Sequence, residues 1–185
     1  MAFKDTILTF ENDKIIADEE YGNIEVMMSW EDPIMEKSAE YVCQSKGDIL
    51  EIGFGMGICS DYIQAQNVNS HTIVEIHPQI IEKLKIWAND KSNVTIVEGD
   101  WNSVSLSTYD GIFLDTFGDD NLDKYKEFVE QKAKSGAKVT YWNNYTSPNN
   151  KYSFDNINFE VVDISSTVNM YTDLESKYYM PKVVM

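Results

Sequence analysis

Arginine is missing from this chain, and all 15 of its basic residues are lysine. Arginine is the usual bidentate clamp for carboxylate and phosphate, so its absence speaks against a phosphorylated or polyanionic substrate. A coding bias toward Lys, Asn and Ile produces the same absence. Positive charge is scarce in any case: 31 acidic residues set the formal net charge at −16. Such a chain repels nucleic-acid phosphates and suits cationic ligands. Cysteine is nearly absent too. Cys43 and Cys59 lie in apolar helical contexts and read as free, buried thiols of a reducing compartment. The two histidines, His71 and His77, flank one strand with no cysteine cluster near them, so no metal-ligand spacing exists. There is no signal-peptide pattern and no apolar run long enough to span a membrane. The expectation is a soluble cytoplasmic protein with no membrane or nucleic-acid partner. Its oligomeric state is not legible.

What is present is enough for one ordinary domain: 185 residues, 43% of them hydrophobic. The chain is organised around Asp48-Ile49-Leu50-Glu51-Ile52-Gly53-Phe54-Gly55-Met56-Gly57-Ile58. A short apolar run reaches an acid, three glycines follow at alternate positions, and apolar residues resume at helical spacing. That pattern predicts strand, tight turn and helix. Glycines let the backbone turn sharply and let a ligand approach it closely, although a Gly-x-Gly-x-Gly run also occurs in purely structural turns. Its partner is Glu75, which ends the next apolar run.

Around this stretch strands and helices alternate. Strands are predicted at 48–52, 72–76, 94–97, 111–115 and 138–142. Helices are predicted at 58–65, 78–89 and 122–134, the last closing at Gly136. Ahead of them, Asp32 caps a helix that begins at Pro33. This order argues for a mostly parallel sheet with right-handed crossovers. Two extended runs, 157–164 and 168–177, read as a final antiparallel hairpin. Residues 1–29 read as an N-terminal appendage of short strands or a hairpin.

Ligands of an open parallel sheet bind beyond the carboxyl ends of its strands. That places Glu51 and the glycines, Glu75, Asp100-Trp101, Asp115 and Asn143 around one site. Glu75 suits two ribose hydroxyls, and Asp100 with Trp101 can bracket an adenine. Each has a plainer reading: a solvated strand end for Glu75, a core residue for Trp101, a capping acid for Asp115, a first-turn helix acid for Glu31. Asp119 and Asp120 read as solvated first-turn residues. A dinucleotide needs G-x-G-x-x-G, but here the third glycine comes one residue early. The leading acid, Glu51, repels a pyrophosphate yet can hold an amino group. The pattern therefore favours the methionine end of S-adenosyl-L-methionine.

Met27-Met28-Ser29-Trp30-Glu31-Asp32-Pro33-Ile34-Met35, Glu51-Ile52-Gly53-Phe54-Gly55-Met56-Gly57 and Leu114-Asp115-Thr116-Phe117 together resemble the guanidinoacetate methyltransferase and delta-N arginine methyltransferase family. Glu75-Ile76-His77-Pro78 looks closer to the arginine branch. The resemblance covers about residues 26–143. It implies a class I, Rossmann-like methyltransferase domain over 30–185, with a seven-stranded, mostly parallel sheet and helices on both faces. It implies S-adenosyl-L-methionine as cofactor, with Gly53, Phe54, Gly55, Met56, Gly57 and Ile58 around the methionine and ribose. Glu75 would bind the ribose, Asp100 and Trp101 the adenine, and Met27 and Met35 would pack beside the sulfonium. Glu31 and Asp115 would grip a guanidinium, and Asn143 would contact the substrate.

The chemistry agrees. A guanidinium stays protonated, with a pKa above about 12. Two carboxylates can fix its plane through bidentate bonds, and one of them, Asp115, can accept a proton. Departures concern the substrate end. The usual aromatic lid residue cannot be placed in the short N-terminal part. Phe117 stands where the guanidinoacetate branch has tyrosine, and the segment after the fifth strand is abbreviated. The resulting expectation is N-methylation of a guanidino group on a small molecule or a protein arginine. An aminopropyltransferase and a non-catalytic cofactor-binding module are the alternatives.

Overall fold

The computed structural model describes residues 2–18, 20, 22–165 and 176–185. Seven strands form one sheet, in the order β6-β5-β4-β7-β8-β10-β9. The strands are β4 (Asp48–Ile52), β5 (Ser70–Glu75), β6 (Val94–Glu98), β7 (Tyr109–Leu114), β8 (Ala133–Tyr141), β9 (Ile157–Asp163) and β10 (Lys177–Val184). The first five pair in parallel, while β10 runs antiparallel to both β8 and β9. The parallel strands are apolar on both faces because both faces are covered. Ile49 and Phe113 pack toward α1 (Asp32–Val42) and α2 (Ile58–Ala65), and Ile73 toward α3 (Pro78–Ala88). Leu50, Ile52, Ile112 and Leu114 pack on the other face with Phe128 and Val129 of α4 (Tyr125–Lys132). This is the predicted Rossmann-like architecture.

A separate three-stranded antiparallel sheet, β1 (Leu8–Phe10), β2 (Lys14–Ala17) and β3 (Glu25–Met28), precedes it. Leu8, Ile15 and Ala17 share a core with Phe54, Ile73 and Ile80. β3 runs into a short 3-10 turn, Ser29–Glu31, which leads directly into α1.

Several boundaries differ from expectation. Helix α1 begins at Asp32 with Glu31 at its N-cap position; the Glu31 carboxylate instead accepts the Met28 N–H at 2.8 Å. Helix α4 stops at Lys132, and β8 starts five residues before its predicted beginning. Residues 132–134 have good helical propensity, but pairing with β7 and with the chain end overrides it: Tyr109 pairs with Ala133, and the Met185 N–H reaches the Ala137 carbonyl. Gly136, with φ +82°, lies inside β8, where the register against β7 shifts, and not at a helix end. Of the second hairpin run, residues 168–175 lie outside the described residues, and the strand is Lys177–Val184.

The strand order reverses at β4, which has β5 on one side and β7 on the other. A crevice opens beyond the carboxyl ends of the strands at such a point. Backbone bonds lock those ends together: the Gly53 N–H to the Val74 carbonyl, Asp115 N–H to Ile52, Gly99 N–H to Glu75 and Trp142 N–H to Leu114.

Candidate active site

A cavity of about 340 Å³ occupies that crevice, within the size range of small-molecule sites. Its wall contains eleven of the residues singled out from the sequence: Met27, Glu31, Met35, Glu51, Gly53, Phe54, Gly55, Glu75, Asp100, Trp101 and Asp115. Four others do not line it. Met56 and Gly57 complete the turn, and Ile58 begins α2. Gly57, at φ +80°, caps the start of α2. Gly53, at φ +92°, leaves room for the Asp115 carbonyl, which a Cβ would strike. Asn143 is fully buried outside the cavity. Its side chain donates to the Tyr179 carbonyl at 2.8 Å, and its N–H donates to the Tyr178 hydroxyl oxygen at 2.7 Å. It ties the end of β8 to β10, so its amide is already spent on the fold.

The acids differ in what they hold. Glu75 accepts the Phe54 N–H at 2.9 Å through one oxygen and the Ile76 and His77 N–H groups at 2.8 Å through the other. It clamps the glycine turn onto β5. A carboxylate has about four acceptor sites, so only limited capacity remains for a ribose. Burial raises its pKa, and these backbone donors oppose the rise. Glu51 Oε2 receives the Ser60 hydroxyl at 2.5 Å and lies 2.9 Å from His71 Nε2; among the described residues nothing bonds Oε1. His71, read from the sequence as flanking a strand, is a fully buried core partner.

Asp100 accepts from the Asn102 N–H and the Asn121 amide. The Trp101 indole donates to Asp119 at 2.6 Å and packs edge-on against Phe128. Trp101 is thus core and cavity wall at once. Asp119, expected to be solvated, anchors it; the loop residues Asp119 and Asn121 carried no local pattern that would have revealed this. Thr116, Phe117 and Trp142 also line the cavity.

Glu31 and Asp115 stand apart from the other acids. No donor reaches the Asp115 carboxylate among the described residues, and Glu31 receives only the Met28 N–H. Burial, followed by the charge of Glu51, pushes Asp115 up to about 7. Burial, followed by the charge of Asp115, pushes Glu31 well above the ordinary carboxyl range. Two carboxyl groups line one cavity, and among the described residues no cation is in contact with either.

Other polar groups are also underused. The Thr116 hydroxyl oxygen is buried on the cavity wall with no hydrogen-bond partner. The Met56 N–H donates to the Met27 sulfur at 3.1 Å, and a thioether is a weak acceptor. A ligand that brings oxygen acceptors and a positive charge fits this set, as S-adenosyl-L-methionine does.

The guanidinoacetate N-methyltransferase family profile matches residues 11–169. The chain belongs to that family. It is 36% identical over 138 residues to protein arginine N-methyltransferase 2 of Aspergillus oryzae, a match covering 70% of this chain and 32% of that protein. It therefore spans about one third of the length of the curated relatives it matches. Among solved structures it resembles N-methyltransferase NodS from Bradyrhizobium japonicum in complex with S-adenosyl-L-homocysteine. The TM-score is 0.64 at 11% identity, covering 84% of this chain and 87% of that one. Spermidine synthase from Thermotoga maritima matches with a TM-score of 0.62 at 11% identity, covering 96% and 72%. At such identities these likenesses bear on the fold alone. No helix among the described residues is long and apolar enough to cross a membrane.

Proposed function

We propose that this member of the guanidinoacetate N-methyltransferase family is a cytoplasmic S-adenosyl-L-methionine-dependent N-methyltransferase. Its acceptor is a guanidino group on a small molecule or an arginine side chain. The observation that carries this reading is the unpaired Glu31–Asp115 couple on the wall of a cavity that also holds the glycine turn.

Glu75 holds the turn, and with Asp100 and Trp101 it forms the nucleoside end. Glu51 Oε1 takes the amino group of the methionine part, and Met27 and Met35 line its sulfur. The bound cofactor supplies a methyl group on a positively charged sulfur. Glu31 and Asp115 grip the guanidinium in its plane and concentrate positive charge on the nitrogens that do not react. The cation offsets the repulsion between them, so both ionise as it enters. Alignment of the reacting nitrogen contributes through orientation. The proton that this nitrogen loses on methylation passes to Asp115, whose affinity near neutrality suits a general base. Phe113 and Trp142 help to exclude water.

Incubation with labelled methyl donor and a panel of guanidines, arginine peptides and polyamines tests the reading. A methylated guanidine is expected. Transfer of a propylamine from the decarboxylated donor, or tight cofactor binding with no turnover on any acceptor, overturns it.

A further inference from the structure

Lys151 belongs to the segment between β8 and β9. Its ammonium donates to the Trp142 carbonyl at 3.1 Å. It lies 5.0 Å from the centre of the Tyr152 ring and 5.5 Å from that of Tyr141. In the parallel register Leu114 faces Tyr141, and the Trp142 N–H reaches the Leu114 carbonyl. Trp142 therefore runs beside Asp115, and its carbonyl brings the Lys151 charge to the same seam. Lys151 lies behind Trp142, outside the cavity wall; its charge favours the ionised form of Asp115, yet it forms no direct ion pair with a carboxylate among the described residues.

We propose that Lys151 is a resident counter-cation beside the acceptor site: from its cage of carbonyl and aromatic faces it favours the charged form of Asp115 ahead of a guanidinium, which completes the ionisation when it binds. The inference rests on the reading of Asp115 as an acceptor-binding group. The absence of direct contact is essential to it. A lysine paired with Asp115 would occupy the oxygens a guanidinium needs. A lysine one step away biases the charge and leaves the fork of acceptors open. The other groups facing Asp115 are Glu51 on β4, Glu31 before α1, the Cys59 thiol on α2 and the Tyr178 phenol on β10. None of them is a cation, so among the described residues Lys151 is what opposes the rise that burial and Glu51 impose. The cage holds the ammonium by cation–π attraction, and desolvation there lowers the lysine's own proton affinity. Lys151 is a positioning residue, not a catalytic one.

The test is a carboxyl-carbon NMR titration of Asp115 in the full chain, without cofactor or acceptor, for the native protein and K151M. The Asp115 midpoint is expected to rise by about one pH unit in K151M, the low end of what an opposite charge at close range supplies. The acid limb of kcat/KM should move with it, and K151R should restore both. K151Q serves if K151M does not fold. An unmoved midpoint, with turnover reduced equally at all pH, marks a merely structural residue and overturns the proposal. So does an unmoved midpoint with KM raised only for acceptors that carry their own carboxylate. A shifted midpoint in a protein that methylates no guanidine upholds the charge role of Lys151 and refutes the proposed reaction, so the two failures are distinguishable.

Discussion

The two ends of the parallel sheet treat the same side chain in opposite ways. At the amino ends of the strands, Asp48 and Asp110 share Lys134, whose ammonium lies 2.7 Å from each. Lys134, then Asn69 and Ser70, hold Asp48 down to about 2. At the carboxyl ends, burial and then Glu51 push Asp115 up to about 7, and Glu31 is driven up with it. The signs of the linked stability differ accordingly. The contribution of Asp48 is present above its ordinary value of 3.8 and is lost as pH falls through about 2. Asp115 binds its proton more tightly in the folded state. Its contribution is fully present below the ordinary carboxyl value and is lost as pH rises through about 7. One end closes its charges for the fold. The other leaves them without a contacting cation among the described residues.

Breaking the open end has the largest expected effect. Asp115→Asn should lower kcat/KM by about 10²–10⁴, the range for a lost general base, while calorimetric affinity for the cofactor stays within a few fold. The same change removes an uncompensated charge, so the melting temperature at pH 8 should rise, by about 2–4 °C for each kcal/mol regained. Equal loss of turnover and cofactor affinity would falsify the assigned role.

Next comes Glu75, the acid whose oxygens are already engaged. Glu75→Ala strips the Phe54, Ile76 and His77 N–H groups of their acceptor. At about 1–3 kcal/mol for each buried orphan, urea unfolding should register a loss of several kcal/mol, with weakened cofactor binding. Glu31→Gln keeps an acceptor for the Met28 N–H but loses the charge. Acceptor KM should rise about 10- to 100-fold, the equivalent of one charged hydrogen bond, with the fold intact by circular dichroism. Unchanged KM would remove Glu31 from the acceptor site.

The pH profile sharpens the contrast. Acceptor kcat/KM should rise through about pH 7 as Asp115 ionises, falling about tenfold at one unit below. Cofactor affinity, measured over the same range, should show no matching step. The smallest effect belongs to the closed end. Lys134→Met should reduce stability by no more than about 1 kcal/mol, as for other largely exposed pairs, and leave methyl transfer untouched. A catalytic defect in that variant would contradict the separation of the two ends.

Much of the cavity wall around the glycine turn was legible because it is local. Residues 48–65 hold strand, turn and helix in one continuous stretch, and the predicted limits of β4 and α2 match the structure. Glu75 is found by its place at the end of the next strand. That Glu31 and Asp115 share one cavity was legible only through resemblance, because they are 84 residues apart and nothing local distinguishes either from a capping acid. Asn143 shows the opposite failure. Its position beyond a strand end pointed to the substrate, but tertiary packing used its amide to hold β10.

The order of elements, the glycine turn and the anionic character of the chain follow from the sequence itself, since each depends on periodicity, backbone freedom or simple charge counting. Which acids found partners was decided in three dimensions. Lys134, Ser60 with His71, and the Phe54, Ile76 and His77 amides satisfy Asp48, Glu51 and Glu75. Glu31, buried, and Asp115, half-buried on the cavity wall, have no counter-charge in contact among the described residues. Desolvation and Coulomb repulsion act over distances that only the folded chain defines, so the raised proton affinities of Glu31 and Asp115 do not exist until the strands and the turn before α1 have met.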